Sequence, residues 1–192
     1  LGLVVLSALP ARAADANAAP GAGQIAVGYS YLYISDKSIP AGWFFSAGAN
    51  ITDAIAVVGD ISGNYKSDSE TTAGGTLTFS TNVYTFLAGP RVTARSGQLN
   101  FYGQFLVGAA RGAGSITLTG GGASFASSGS DTEFCLAPGA GVDFNLGDRA
   151  ALRAGVSERL IRVNTSTSTT PGQSTFEKEF QLQIGLVYRF GN

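Results

Sequence analysis

The chain has 192 residues, 44% hydrophobic and only 13% charged, with net charge −1, 27 glycines, one cysteine and neither histidine nor methionine. Charge at about half the usual globular share, without a basic stripe, excludes a nucleic-acid footprint, and the lack of any run of ~18 apolar residues excludes a spanning helix. A lone Cys135 forms no internal disulfide and no Cys/His set exists for zinc, so no metal and no cofactor is expected and Cys135 reads as a small residue filling a strand position.

Residues 1–13, Leu-Gly-Leu-Val-Val-Leu-Ser-Ala-Leu-Pro followed by Ala11-Arg12-Ala13, read as the back half of a secretory signal: an apolar core, then small residues at −3 and −1. Cleavage is expected after Ala13, with Ala16 as the alternative, and the lack of Met or a basic stretch ahead of Leu1 predicts that the sequence starts inside the signal. Residues 14–23, rich in Ala, Asn, Pro and Gly, read as a linker, and one domain follows over residues 24–192.

That domain divides into eight alternating segments. Gln24 to Ile34 sets Ile25, Val27, Tyr29, Tyr31 and Tyr33 against Ala26, Gly28, Ser30 and Leu32; Gly42 to Ile51 sets Trp43, Phe45, Ala47 and Ala49 against Phe44, Ser46, Gly48 and Asn50. The third segment is Ala54 to Asn64, the fourth Asn82 to Arg95, the fifth Leu99 to Ala110 and the sixth Phe134 to Leu146, whose even positions carry no polar side chain. The seventh, Ala150 to Val163, loses a clear phase at Glu158-Arg159, where either a bulge near Gly155 or a place at the polar rim is needed. The eighth, Phe180 to Phe190, puts Phe180, Leu182, Ile184, Leu186, Tyr188 and Phe190 on one side and Gln181, Gln183, Gly185, Val187 and Arg189 on the other. Period two is the strand repeat.

The connections alternate too. Thr52-Asp53, Ser96-Gly97-Gln98 and Gly147-Asp148-Arg149 are tight turns, whereas Tyr65 to Ser80, Gly112 to Asp131 and Asn164 to Thr175 are long and rich in Ser, Thr and Gly; Ser35 to Ala41 is intermediate. The fold class predicted is therefore all-β: an eight-stranded antiparallel up-and-down transmembrane β-barrel with short periplasmic turns and long, mobile extracellular loops.

Alternation alone does not say which face meets water, since a soluble lipocalin-like barrel would bury the apolar side. The polar faces decide: they are Gly, Ala, Ser, Thr, Asn and Gln with few charges, which suits the crowded inside of a small barrel and not a water-facing exterior. The aromatics Tyr29, Tyr31, Tyr33, Trp43, Tyr84, Tyr188 and Phe190 are then expected at the membrane interfaces. Asp143 and Arg153, each five residues from Asp148, are expected to pair inside the lumen, joined by Asp60, Arg91 and Arg189 in a lattice of charges that plugs it. A charge filter in a conducting pore is the competing reading of the same five residues.

Val27-Gly28-Tyr29-Ser30-Tyr31-Leu32, Ala41-Gly42-Trp43, Val58-Gly59-Asp60-Ile61-Ser62-Gly63-Asn64-Tyr65, Tyr84-Thr85-Phe86-Leu87-Ala88-Gly89-Pro90-Arg91, Gly139-Ala140-Gly141-Val142-Asp143 and the ending Val187-Tyr188-Arg189-Phe190-Gly191 resemble the OmpA-like outer-membrane β-barrel proteins. The resemblance implies a bacterial outer-membrane location, lipid as a neighbour and insertion by the outer-membrane assembly machinery, which reads an aromatic-ended last strand. Two residues follow Phe190, and Pro138 removes a ladder donor, so both depart from the pattern. Enzymes of this class typically rely on a histidine base, absent here, and Gly120-Gly121-Gly122 lacks the Lys and strand–loop–helix setting of a phosphate cradle. The function expected is a non-catalytic, monomeric envelope protein whose surface loops serve for binding or adhesion; the alternatives are a small diffusion porin and a soluble exported ligand-binding barrel.

Overall fold

The computed structural model describes residues 23–34, 37–72, 75–121, 123–167 and 170–191, with the side chains of 164–174 outside that description. The signal expected over residues 1–13 and nearly all of the linker lie outside it as well. Every element is a strand: β1 (Gly23–Ile34), β2 (Lys37–Ile39), β3 (Ala41–Asn50), β4 (Ile55–Thr72), β5 (Gly75–Ser96), β6 (Leu99–Gly120), β7 (Ala123–Asn145), β8 (Ala150–Thr167) and β9 (Thr170–Phe190). β2 is a three-residue turn-back on the end of β1; the other eight are staves, each antiparallel to its neighbours, and the β1–β9 pairing joins first to last.

Partners followed from Leu32 through Gln181, Ser157, Gly139, Gln104, Arg91 and Ala56 arrive at Asn50, one step beyond the Ala49 that pairs with Gly23. The circuit thus returns ten residues below its start at Leu32. In an eight-strand barrel that stagger corresponds to a strand tilt of about 40°.

The faces divide as the alternation predicts. Ile184 is 61% and Leu186 56% exposed, while Asp143 and Arg153 are 3% and 2% exposed. Outward apolar stretches run Tyr84 to Ala94 on β5, Leu99 to Ala109 on β6 and Phe134 to Phe144 on β7, about 11 residues each, which is the length a tilted strand needs to cross hydrocarbon. Among the described residues no helix is long and apolar enough to do so.

At one end the staves are joined by short turns. Thr52 Oγ1 accepts from the amides of Ala54 (3.3 Å) and Ile55 (3.0 Å), and Gly97 takes φ +59° between the paired Ser96 and Leu99, a conformation that favours glycine. At the other end the expected long loops are largely strand. β4 and β5 stay paired to Thr72↔Gly75 and β6 and β7 to Gly120↔Ala123, so most of Tyr65–Ser80 and Gly112–Asp131 forms paired ribbons. Ser, Thr and Gly had suggested mobile chain because neither face of such a stretch is strongly apolar; Thr is nonetheless a good strand former, and the cross-strand hydroxyl pairs Ser67–Ser80 (3.1 Å), Ser69–Thr78 (3.0 Å) and Thr71–Thr76 (3.1 Å) line one face.

The register around Gly155 is continuous, without a bulge: β8 pairs with β9 in one unbroken register from Ala150↔Tyr188 to Thr165↔Gln173. Pro90 and Pro138 fall where a ladder lapses. Pro138 lies between the β7–β8 partners Leu136↔Leu160 and Gly139↔Ser157, and Pro90 between the β5–β6 partners Ala88↔Val107 and Arg91↔Gln104, so each missing N–H is directed at a gap.

Candidate functional site: a filled lumen and a protruding sheet

Inward side chains fill the barrel in two polar layers. The layer nearer the turns is built on Asp143, which β7 and β8 set directly opposite Arg153. Arg153 donates from Nε to Oδ1 (2.8 Å) and from Nη2 to Oδ2 (2.9 Å), a bidentate pair, and Arg189 Nη2 reaches the same Oδ2 at 3.4 Å. Arg189 also donates to Asn145 Oδ1 (2.7 Å), which accepts from Asn100 Nδ2 (2.9 Å). Tyr102 spans this layer: the guanidiniums of Arg91 and Arg153 lie 4.5 and 4.8 Å from its ring centre. Its ring has room because Gly141 and Gly155 face each other beneath it; a Cβ on Gly141 would stand 2.5 Å from the Tyr102 hydroxyl.

Two expected lattice members stand differently from the prediction. Arg91 is buried but meets no carboxylate; its Nε and Nη2 donate to Gln104 Oε1 at 2.9 and 2.6 Å, its cross-strand partner. Asp60 is buried and accepts a hydrogen bond from Gln183 Nε2 at 3.5 Å. The five residues are thus one ion-paired group, Asp143–Arg153–Arg189, with Arg91 and Asp60 set apart in amide surroundings.

The second layer was not legible as such. Arg159 is fully buried, donates from Nη2 to Ser62 Oγ (2.7 Å), and faces Glu179 with Nη1 3.9 Å from Oε2. Gln181 Nε2 donates to Ser30 Oγ (2.6 Å), and Ser62 and Thr85 share a hydrogen bond of 2.6 Å. The adjacent Glu158 points outward, where Lys178 meets it at 3.2 Å. Strict alternation from Leu152 would have placed Arg159 inside; the prospect of Glu158 on the apolar face obscured it, and the Lys178 partner removes that objection.

Of the expected interface aromatics, Tyr29, Tyr33, Trp43, Tyr188 and Phe190 are exposed on the outer face and Tyr31 and Tyr84 half-buried there. Tyr188 and Phe190 lie at the turn end. The others gather at the ribbon end, where Trp43 Nε1 donates to Tyr65 Oη (3.1 Å), Tyr65 meets Tyr84 edge-on at 5.7 Å and Tyr29 donates to the Pro40 carbonyl. Tyr65, at the start of the expected loop Tyr65 to Ser80, is instead a strand residue of the girdle.

Above that girdle the ribbons merge. Lys66–Thr72 pairs with Gly75–Thr81, Thr76–Val83 with Gly112–Thr119, and Gly112–Gly120 with Ala123–Asp131, giving a four-stranded antiparallel sheet that rises about 30 Å along the strands. Pairing of β3 with β4 ends at Ala41↔Tyr65 and of β7 with β8 at Phe134↔Arg162, which leaves two open edges, residues 66–72 and 123–133. One face is Ser, Thr and Ala; the other continues the lumen face and carries Leu77, Leu118 and Phe125 in one cross-strand row with Phe79 and Ile116 in the next. Phe125 is 74% exposed.

The family model for the outer membrane protein beta-barrel domain matches residues 1–190. No curated protein matches by sequence. Among solved structures, Ail, the attachment invasion locus protein of Yersinia pestis, superposes with TM-score 0.57 at 20% identity over 90% of this chain and 100% of its own. Ail in complex with the heparin analogue sucrose octasulfate gives 0.56 at 20% over 88% and 99%. The outer membrane protease OmpT of Escherichia coli gives 0.52 at 7% identity over 88% and 96%. At such identities the likeness is one of fold.

Proposed function

The chain belongs to the outer membrane protein β-barrel domain family and resides in the bacterial outer membrane, and on that footing we propose that it is a non-catalytic, monomeric attachment protein inserted by the outer-membrane assembly machinery. Its ribbon end faces outward, and the four-stranded sheet is the organ of attachment. The observation that carries this reading is the sheet itself: an apolar cluster of Leu77, Phe79, Ile116, Leu118 and Phe125, flanked on β4 by Asp68 and Glu70 and reaching the unpaired edge 123–133.

Exposed apolar surface of this kind, placed beyond the membrane belt, marks an interaction site. An extended segment of another protein can add to the edge as a fifth strand, its backbone satisfying the open N–H and C=O groups and its alternate side chains extending the apolar face. Attachment is also what the name of the structurally similar Ail denotes. The charge lattice is assigned a structural role, since Arg91, Arg153, Arg159, Phe44 and Leu32 are large side chains fully buried inside the barrel.

The test is adherence of a non-adherent bacterial strain expressing the chain to an epithelial monolayer. Leu118→Asp and Phe125→Asp, both at exposed positions, are expected to abolish adherence while the barrel still inserts and shifts on a gel after heating. Equal adherence of both variants refutes the assignment of the sheet. For the lumen, planar-bilayer recordings are expected to show no steady conductance; large stable steps would establish the porin reading instead.

A further inference from the structure

The two open edges of the protruding sheet are not alike. Residues 66–72 carry Lys66, Asp68 and Glu70, charges of the kind that keep an edge strand from pairing with another chain. Residues 123–130 carry no charge and no proline. Their edge opens because pairing of β7 with β8 stops at Phe134↔Arg162, while β8 itself goes on, paired to β9.

On the face that continues the lumen, this edge places a projection beside a recess. Phe125 is 74% exposed, more than any other large apolar side chain among the described residues. Four residues along the same face Gly129 stands opposite Gly114, with Gly112 in the next row, and these glycines floor a recess of about 370 Å³. Packing within the chain does not require them. Among the described residues a Cβ on Gly112 or Gly129 meets nothing within 4 Å, one on Gly114 meets only the Ser80 carbonyl at 4.0 Å, and none of the three has a positive φ. The β6–β7 register is unbroken here, so no bulge explains them either. Glycine weakens a strand interior, and without a bulge or bend it marks a place of close approach from outside.

A twofold axis perpendicular to the sheet through Ser127 brings the projection of one copy to the recess of another. Antiparallel pairing about that axis spans residues 123–131 of each copy and sets Phe125 opposite Gly129, Ala123 opposite Asp131 and Ser127 opposite itself, with no like charges opposed. An aromatic ring over a cross-strand glycine is a favourable pairing. A twofold through Gly129 would set Phe125 against Glu133, and one through Asp131 would oppose two carboxylates. Because β7 runs from the tip toward the barrel, two copies in one membrane present edges that run the same way. Antiparallel edges need barrels that point at each other from facing membranes. An edge about 30 Å long and 10 Å thick offers about 300 Å² per copy, well under the ~800 Å² of a stable soluble dimer. A single contact is therefore weak, and strength comes from many contacts between two surfaces.

We propose that the sheet joins two copies of this chain across facing outer membranes, edge to edge over residues 123–131, with each Phe125 seated over the glycine floor of the other copy. This rests on the reading of the sheet as the organ of attachment and adds the identity of a partner. In that pairing the two Phe134 residues, at the rims of the two belts, stand about 45 Å apart along the strands, or about 35 Å along the membrane normal at a tilt of about 40°.

Two populations of phosphatidylcholine vesicles bearing the folded chain, labelled with different dyes, test it by fluorescence cross-correlation and by electron cryomicroscopy of the contact zones. Mixed clusters are expected only when both populations bear the chain, with a uniform gap of about 35 Å between hydrocarbon surfaces. Ser127→Lys on both populations, or Ser127→Glu on both, is expected to reduce clustering by about tenfold, and mixing the Lys population with the Glu population to restore it, because this position meets itself on the axis. Gly129→Val, which fills the recess with a good strand former, is expected to reduce clustering by a similar factor. All three positions of change are exposed or open, so heat-shifted gel mobility is retained. Clustering with vesicles that lack the chain, no clustering at all, or no recovery on mixing the Lys and Glu populations overturns the proposal. If vesicles fail to cluster while Phe125→Asp still abolishes adherence to the epithelial monolayer, this pairing falls and the attachment reading stands. Clustering with adherence untouched by Phe125→Asp sinks the epithelial reading alone.

Discussion

Asp143→Leu is the substitution that most directly probes the filling of the barrel. The carboxylate accepts two hydrogen bonds from Arg153 and a longer contact from Arg189, and it is 3% exposed. The two lumenal layers hold four arginines (91, 153, 159, 189) and three carboxylates (Asp60, Asp143, Glu179), so their formal sum rises from one to two positive charges. Arg189, with its side chain 27% exposed and Asn145 as a second acceptor, recovers part of what it loses. Arg153, 2% exposed, retains only the Tyr102 ring and Gln24 at 3.5 Å. Stranding a buried partner in this way costs about 3–5 kcal/mol. Adding Arg153→Met removes the stranded charge, and the double variant is expected within about 1 kcal/mol of the parent, since a buried pair and a well-packed apolar replacement are often equivalent.

The measurement is urea unfolding of the chain in lipid bilayers, followed by the fluorescence of Trp43, the single tryptophan, which faces outward and reports loss of the lipid environment. A double-mutant cycle, with Arg153→Met as the second single variant, then yields a coupling of at least about 2–4 kcal/mol between the two positions, the amount by which the stranded charge exceeds the cost of the double variant. A coupling below about 1 kcal/mol, or a single variant as stable as the parent, refutes the reasoning, because the layer would then be hydrated and not packed.

The assignment of sides yields a depth test: Ile184→Arg, near the middle of the outer belt on β9, is expected to destabilise by about 2–4 kcal/mol and Phe180→Arg, near the girdle, by about 0–1 kcal/mol, read from the same urea transitions; equal costs would contradict the belt. Cys135 is 0% exposed and lumenal, so a bulky maleimide is expected to leave it unmodified in the folded chain, whereas a cysteine at Ser128 on the sheet is labelled on intact cells; labelling at Cys135 alone would invert the topology. Tyr65→Ala removes the acceptor of Trp43 and the edge contact with Tyr84, with an expected loss of about 0.5–1.5 kcal/mol and a changed Trp43 emission.

The staves were legible because a lipid-facing wall demands an apolar residue at every second position, and the segments from Gln24 to Phe190 supply it everywhere but at Glu158-Arg159. The Asp143–Arg153 pair was legible from the turn alone, since equal distances from Asp148 fix an antiparallel partner. The protruding sheet was not, because above the belt water meets both faces and the alternation survives only in Leu77, Phe79, Ile116, Leu118 and Phe125, scattered among Ser, Thr and Gly. Arg159 and Glu179 were missed for a different reason. Their roles depend on neighbours far along the chain, Ser62 for Arg159 and Arg159 for Glu179, which no local pattern brings together.

The two layers of polar residues address a hazard that the apolar pattern leaves open. A slip of one residue between neighbouring staves turns every side chain to the wrong face and is strongly disfavoured. A slip of two residues keeps each face intact and costs the lipid-facing wall little. Inside the lumen the same slip is expensive: it would move Asp143 from opposite Arg153 to opposite Ala151 or Gly155, and Arg91 from Gln104 to Tyr102 or Leu106. It would also bring Tyr102 off Gly141 toward a position that has a side chain on one of the two alternatives, Gly139 or Asp143. Buried ion pairs add little net stability, yet each is lost in full when the register shifts by two. The small set of lumenal charges in this otherwise charge-poor chain is thereby accounted for as the choice of one stagger, and so of one barrel, among those the outer wall would accept.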